Sequence, residues 1–402
     1  MKISERLEYL TQIHKSWDNT EQRAALRTSP RRFISYDYIG TKGSQSQYLR
    51  ALAYSKQTEK IEIPLWHANC QLDEILFKGQ TNIKAGKDKI WPYRGMSGLL
   101  LWSSDELGGD RYPLKYILGD GTVISGNIFA RDYPPGTIVC PVGWGVLQQE
   151  SAYDTYSSMA TSLQLNLELL PDYSITPVPD ALDEYHYETF KTEDPWAKVL
   201  PTTYNSVELF TIPPSWTKDL SAKFTRNVNR MDNQSGVFKY DLKSLNPTET
   251  REIEYVAISR SEINNLQRFF CRCKGRLKSF YAPTWLSDMA LQEDAPPGQN
   301  YLIVDWPLLW KYYANMNRRK TIVIFQRDYT ATILKVAGYT TDDSGNYGKI
   351  FLDNQLTKAI NKAEVLLISF LVRYRLDTDS MLVDYDTTDA GTTSLSFMEV
   401  NE

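Results

Sequence analysis

One interval recurs along this 402-residue chain and constrains its fold more than any other feature. Tyr36 and Tyr255 stand 219 positions apart, and so do Pro64 and Pro283, and Trp66 and Trp285. The step from Tyr to Trp is 30 residues in both halves. Arg31-Arg32-Phe33-Ile34-Ser35-Tyr36 lies over Thr250-Arg251-Glu252-Ile253-Glu254-Tyr255, and Ile63-Pro64-Leu65-Trp66 over Ala282-Pro283-Thr284-Trp285. Several matches in order, at one spacing, point to an internal duplication.

The stretch between the anchors has the same character in both copies. Phe33–Ile39 is Tyr-rich and reads as a strand. Within Ser44–Ser55, Tyr48, Leu49 and Leu52 share one helical face, and Ile263, Leu266, Phe269, Phe270 and Cys273 do the same in the second copy. Ser259 with Glu262 has the form of a capping box. Alternating runs follow each helix, at Ile61, Ile63, Leu65 and at Leu277, Ser279, Tyr281. Each half therefore predicts a strand–helix–strand unit ending in Pro-x-Trp.

Weaker echoes flank these units. Thr137-Ile138-Val139-Cys140-Pro141-Val142 lies 227 positions before Glu364-Val365-Leu366-Leu367-Ile368-Ser369. Trp17-Asp18-Asn19 is echoed by Met231-Asp232-Asn233. Elsewhere the pattern is antiparallel β. Tyr116–Ile124 reads as two strands about an Asp-Gly turn. Thr321–Phe325, Ala331–Val336, Tyr347–Asp353, Glu364–Leu376, Met381–Asp386 and Ser394–Val400 add further strands. The expected class is mainly β with a few helices, in two duplicated sandwich or barrel-like lobes. The first lobe is placed at 1–156 and the second at 215–402. Residues 157–214, rich in Pro, read as a connector with one strand at Ser206–Ile212.

Composition narrows the function. Lys and Arg total 45 against 49 Asp and Glu, a net charge of −4. That balance disfavours a strongly basic surface, so no nucleic-acid recognition is expected. Aromatics make up 12% of residues, which suits strands and contact surfaces. Four Cys do not make a disulfide framework. The opening MKISERLEYL lacks a signal-peptide core. Apolar runs such as Leu99–Trp102 fall far short of the ~20 residues of a membrane span. The expectation is a soluble product made in a cytoplasm.

Dedicated chemistry is not apparent. The three His, at 14, 67 and 186, lack metal-ligand spacing. No phosphate-binding loop, nucleophile elbow or dinucleotide fingerprint appears. Asp342-Asp343-Ser344-Gly345-Asn346 starts like a calcium loop but lacks the later ligands, and reads as a hairpin turn. Asp105 with Glu106, or Asp288 near Trp285, are the carboxylates one would draw for glycoside hydrolysis, and surface acids are the plainer reading. Cys271 and Cys273 face different ways on a helix and have no second pair. No catalytic residue, metal or cofactor is assigned. Tyr36, Trp66, Tyr255 and Trp285 are expected to be buried structural anchors, and His67 to be structural beside them. The densest basic cluster is Arg23, Arg27, Arg31 and Arg32. Arg23 and Arg27 fit one face of a short helix ended by Pro30, and the cluster is the candidate subunit contact. Arg318-Arg319-Lys320 is a second cluster. The acidic stretch Asp377, Asp379, Asp384, Asp386 is a candidate partner for one of them.

These residues resemble tail-tip proteins of long-tailed bacteriophages. Trp17-Asp18-Asn19-Thr20-Glu21-Gln22-Arg23, then Pro30-Arg31-Arg32-Phe33 and Pro64-Leu65-Trp66, is similar to their opening G-x-E-x-R, PRR and P-L-W segments. Phe280-Tyr281-Ala282-Pro283-Thr284-Trp285 is similar to their F-W-L-P-T-W segment. Arg373-Tyr374-Arg375-Leu376-Asp377-Thr378-Asp379, then Phe397-Met398-Glu399-Val400, resembles their C-terminal hairpin. The likeness runs from about residue 15 to 400 and is thinnest over 157–214. Asn19 stands where the family often has Gly, the second copy lacks PRR, and Thr378-Asp379 replaces Ser-Asp.

The resemblance implies a distal-tail or baseplate protein of the virion, made in the host cytoplasm. Such proteins form rings between the tail tube and the hub and receptor-binding fibres. The implied partners are the chain itself, in a six-fold ring before a three-fold one, and the tail-tube, tape-measure, hub and fibre proteins. The implied lobe is a β-sandwich with a flanking helix. A duplicated chain would also let three copies supply six similar modules. Two other readings stay open: a carbohydrate- or receptor-binding module using the same aromatics, and a polysaccharide- or peptidoglycan-cleaving enzyme.

Overall fold

A computed structural model describes residues 2–16, 20–103, 108–148, 152–171, 195–305 other than 233, 235, 237 and 243–246, and 317–400. The fold is mainly β, and every pairing between its named strands is antiparallel. The chain opens with β1 (Lys2–Glu8) and the hairpin β2 (Thr11–Lys15) and β3 (Glu21–Ala25). The unit between the first anchors is β4 (Arg31–Gly40), α1 (Gly43–Ser55) and β5 (Ile61–Pro64). It is followed by β6 (Cys70–Gln71), β7 (Asn82–Lys84), β8 (Gly98–Trp102), β9 (Asp110–Ile117), β10 (Thr122–Ser125), β11 (Ile138–Leu147), β12 (Tyr153–Thr155) and β13 (Thr161–Leu169).

A short α2 (Pro195–Val199), β14 (Thr203–Tyr204) and β15 (Val207–Glu208) come next. Then β16 (Ser221–Thr225) leads to a second hairpin, β17 (Val228–Asp232) and β18 (Phe238–Leu242). The second anchored unit is β19 (Thr248–Ala257), α3 (Arg260–Cys273) and β20 (Ser279–Pro283). The chain ends with β21 (Tyr301–Val304), β22 (Thr321–Gln326), β23 (Ala331–Thr341), β24 (Gly348–Leu352), β25 (Val365–Leu376), β26 (Ser380–Tyr385) and β27 (Gly391–Glu399).

The two sets pair alike. β4 lies between β1 and β13, and β19 between β16 and β27. β5 pairs with β11 as β20 pairs with β25. β8 joins β9 and β11 as β22 joins β23 and β25. Among the described strands one pairing links the sets: β1 pairs with β26 as well as with β4. The result is a continuous run, β12-β13-β4-β1-β26-β27-β19-β16.

Each lobe has its own core. Ile34, Tyr36, Leu163 and Leu165 of the run pack with Ile63, Leu99, Leu101 and Val139 in the first. Ile253, Tyr255, Leu395 and Phe397 pack with Phe280, Ile322, Phe370 and Val372 in the second. Leu7 and Tyr9, at the end of β1, belong to the second core. A smaller cluster sets Trp196, Leu200 and Leu209 against Trp285, Val323, Phe325 and Leu371.

The helices differ sharply. α3 begins at Ser259, whose hydroxyl accepts from the Glu262 backbone N–H at 3.3 Å. The Glu262 side chain returns to the Ile258 N–H at 2.7 Å, one residue short of the reciprocal bond expected. Lys274, in the left-handed region, and Gly275 (φ +63°) end it. Most of α3 is buried, whereas α1 buries only Ser46 and Ala53.

Three expectations need correction. Thr161–Leu169, assigned to the connector, is a strand of the first lobe, with Thr161, Leu163, Leu165, Leu167 and Leu169 all facing inward. That period of two is present in TSLQLNLEL and outweighs the nearby prolines. The expected strand at Ser206–Ile212 shrinks to β15, with a single parallel bridge from Leu209 to Tyr281. Arg23 is not helical but lies in a hairpin strand, where Ile13 faces it. Trp17-Asp18-Asn19 lies outside the described residues.

Candidate functional site

The contact between the lobes carries one of two concentrations of buried charge among the described residues, the other being Glu249, Arg251, Arg319 and Glu399 in the second lobe. Glu5 sits on β1, between β4 of its own lobe and β26 of the other. Its Oε1 is hydrogen-bonded by Arg32 Nε. Its Oε2 accepts from Tyr385 Oη at 2.8 Å and from Gln267 Nε2 at 2.9 Å. His67 Nε2 lies 3.4 Å away, and its ring packs on Tyr385 with centroids 4.6 Å apart. Burial alone would raise the Glu5 carboxyl, but Arg32, His67 and Tyr385 outweigh it and hold it well below the usual carboxylate range. Burial pushes His67 down, against the pull of Glu5.

The rest of α3 completes the junction. Arg260 donates to the His67 carbonyl at 3.2 Å, and Arg268 lies over the Trp91 ring at 5.2 Å. Pro92 supplies a carbonyl to Arg32 Nη1 at 3.2 Å. One face of α3 is therefore buried by the first lobe. These contacts hold the two lobes together, while His67 Nδ1 and Arg260 Nε and Nη2 stay buried in the junction without a hydrogen-bond partner among the described residues.

Two straps reinforce it. Asp379 accepts from the Thr11 N–H at 2.7 Å, the Thr11 hydroxyl at 2.9 Å and the Arg276 N–H at 2.9 Å. Arg375, on β25, makes a bidentate pair with Glu21 on β3, at 2.7 and 2.9 Å. Burial would raise Glu21, yet the Arg375 and Lys15 contacts pull it from its ordinary 4.5 to about 2.

The basic cluster does not form one open patch. Arg32 is buried at the junction. Arg27 pairs with Glu8 at 3.0 Å, Arg31 with Glu168 at 3.6 Å, and Arg23 with Glu21 at 3.9 Å. In the second cluster Arg319 is buried on Glu249 at 2.8 Å. Asp377 and Asp379 meet Arg375 and Arg276 within the same chain.

Tyr36 and Tyr255 are buried at equivalent positions, and Tyr36 donates to the Pro64 carbonyl at 2.7 Å. Trp285 is buried too and stacks on Phe325 with centroids 4.9 Å apart. Trp66 differs: it is half-buried and meets Trp102 edge-on at 5.8 Å. These two rings, with Tyr38, Asn69 and Tyr385, line a cleft of about 700 Å³ at the lobe junction. Cleft and charge cluster thus share His67 and Tyr385. Glu5, Gln267 and Tyr385 are not legible as a cluster from sequence, because they come from three distant segments with no motif between them.

The remaining candidates are structural or undescribed. Asp288 accepts from the Phe370 N–H at 2.8 Å and from the Thr284 hydroxyl. Asp342 caps its own turn through the Tyr347 N–H at 2.9 Å. All four cysteines are buried as free thiols. Asp105 and Glu106 lie outside the described residues. Among the described residues no His, Cys, Asp or Glu cluster could hold a metal ion, and no helix is long and apolar enough to cross a membrane. No protein-family model and no curated protein sequence matches the chain.

Proposed function

We propose that this protein is a structural component of a bacteriophage tail tip or baseplate, forming a ring between the tail tube and the hub and fibres. The observation that carries the ring is the β1–β26 pairing, which joins two equally wired strand sets head to tail inside one chain. A heterologous contact of this kind closes into a ring when its rotation allows. The tail-tip assignment rests on the sequence resemblance. With two modules per chain, three copies supply six, and six copies supply twelve. The chain's work in this reading is mechanical, which suits a junction held by buried ion pairs.

Light scattering on the purified protein tests it, followed by particle imaging. A closed ring of three chains (3 × 46.3, about 139 kDa) or of six (6 × 46.3, about 278 kDa) is the expected outcome. A strict monomer at all concentrations rejects the ring.

The cleft at Trp66 and Trp102 favours a second reading, a carbohydrate- or receptor-binding module of the tail tip, since aromatic side chains on a cleft wall suit sugar rings. Glycan binding that is lost in Trp66→Ala, with the fold intact, would establish it. Absence of binding across a glycan array would remove it.

A further inference from the structure

The two lobes each contribute a four-strand run in the same order, β1-β4-β13-β12 and β16-β19-β27-β26. Inside the chain the head of the first run, β1, pairs with the tail of the second, β26. Among the described strands, the other head, β16, pairs only with β19, and the other tail, β12, only with β13. We infer that these two edges bind each other between copies of this chain, so that the stretch from Lys218 into β16 of one copy lies along the edge at Tyr153 of the next and repeats the internal joint. This deepens the ring reading above and rests on it.

Residue equivalence follows from the ladders. Counting from Tyr36 and Tyr255 along β4 and β19 sets Tyr9 of the first lobe against Phe224 of the second. Counting along β13 and β27 sets Tyr153 against Tyr385, and the sequence agrees: Tyr153-Asp154-Thr155 repeats as Tyr385-Asp386-Thr387. Counting from the residues that open α1 and α3, Lys42 and Ser259, sets Tyr54 against Cys271.

At each of these positions the member inside the internal joint is covered and its counterpart is bare. Tyr9 is 1% exposed and Phe224 65%. Tyr385 is 5% exposed and Tyr153 55%. Cys271 is 3% exposed and Tyr54 88%. The hairpin β2–β3 is strapped to the second lobe by Arg375 and Asp379, while its counterpart β17–β18 exposes Met231, Phe238, Tyr240 and Leu242. Large apolar side chains at two unpaired sheet edges are what an interface strand presents before its partner arrives. A second copy is the one occupant whose complementary shape is already built into the chain.

The internal pair Ile3 and Tyr385 maps onto Lys218 of one copy and Tyr153 of the next. Lys218 stands three residues before β16, and residues that face each other across a β ladder lie within disulfide reach. The test is oxidation of the Lys218→Cys/Tyr153→Cys double variant, and of a mixture of the two single variants, read on non-reducing gels. The native thiols are all buried and do not compete. The expected result is a covalent ladder ending at the ring size for the double variant, dimers only for the mixture, and none for either single variant alone. Phe224→Asp and Tyr54→Glu are each expected to abolish the assembled species while leaving the circular-dichroism melt of the chain unchanged, because both residues are exposed. A ring of the expected mass without the cross-link overturns this joint and leaves the ring reading standing. A monomer throughout overturns both.

Discussion

Tyr385 donates its hydroxyl to Glu5 Oε2 at 2.8 Å, a contact between residues 380 positions apart. It ties the first strand of the chain to the last hairpin. Because Glu5 also holds Arg32 and Gln267, it is the keystone of the lobe contact. Removing one member of a buried, hydrogen-bonded ion pair leaves the other charge uncompensated.

Glu5→Gln is therefore expected to destabilise the protein by about 3 kcal/mol, with Arg32 stranded in the junction. Urea unfolding measures it. Pairing the change with Arg32→Met should recover much of the loss, since no charge then stays buried alone. A double variant as damaged as the sum of the two single changes would show that the pair is not coupled.

The two Trp anchors should respond differently despite their matched positions. Trp285 is buried and stacked on Phe325, so Trp285→Ala is expected to cost about 3–5 kcal/mol. Trp66 is half-buried on the cleft wall, and Trp66→Ala should cost roughly half as much. Equal losses in thermal unfolding would contradict the placement.

That contrast marks what the sequence could and could not convey. The strand–helix–strand units, the Asp-Gly hairpin and the long C-terminal strands were legible, because their apolar periods and turn residues are local. The strand at Thr161–Leu169 carried its own alternation but was obscured by surrounding prolines. Trp66 and Trp285 look alike in sequence. What separates them is a neighbour: Trp102 beside one and Phe325 over the other. The junction was illegible for the same reason. Glu5, Gln267 and Tyr385 acquire meaning only when β1 crosses to the second lobe, and no spacing rule encodes that crossing. The Arg23–Arg32 cluster looked like an exposed face because its carboxylate partners, Glu5, Glu8 and Glu168, are not all sequence neighbours.

The native protein should resist thiol reagents. Cys70, Cys140 and Cys273 are buried and burial pushes each thiol up, so little reactive thiolate forms at neutral pH. Titration with an aromatic disulfide reagent is expected to modify none of the four rapidly in buffer and all four in denaturant. Rapid loss of one thiol in buffer would locate an opening in its lobe.

Gly275 ends α3 where a side chain has no room. A methyl there would approach Asp379 Oδ1 to 2.5 Å and its Cα to 3.1 Å, and the backbone is in the left-handed region. Gly275→Ala is expected to destabilise by about 1–2 kcal/mol and to loosen Thr11 from Asp379. Hydrogen exchange at the Thr11 amide should quicken more than exchange in β8 or β11. Uniform quickening would mean global destabilisation only.

Acid should release the β2–β3 hairpin first. Glu21 is held at about 2 in the folded chain by Arg375 and Lys15, against an ordinary value of 4.5. Its folded value is depressed, so its contribution is fully present above about 4.5. Below that point the unfolded chain binds a proton that the folded chain refuses, and stability falls until the folded carboxyl itself protonates near 2. Glu5, also held low, acts in the same direction. Unfolding midpoints measured from pH 6 down to about pH 3 should therefore drop steeply below 4.5. Glu21→Gln should be less stable than the parent at pH 6, because Arg375 loses its partner, and should show a shallower fall in acid. An unchanged slope in Glu21→Gln would assign the acid sensitivity to other carboxylates and leave the Arg375 pair without a measurable share.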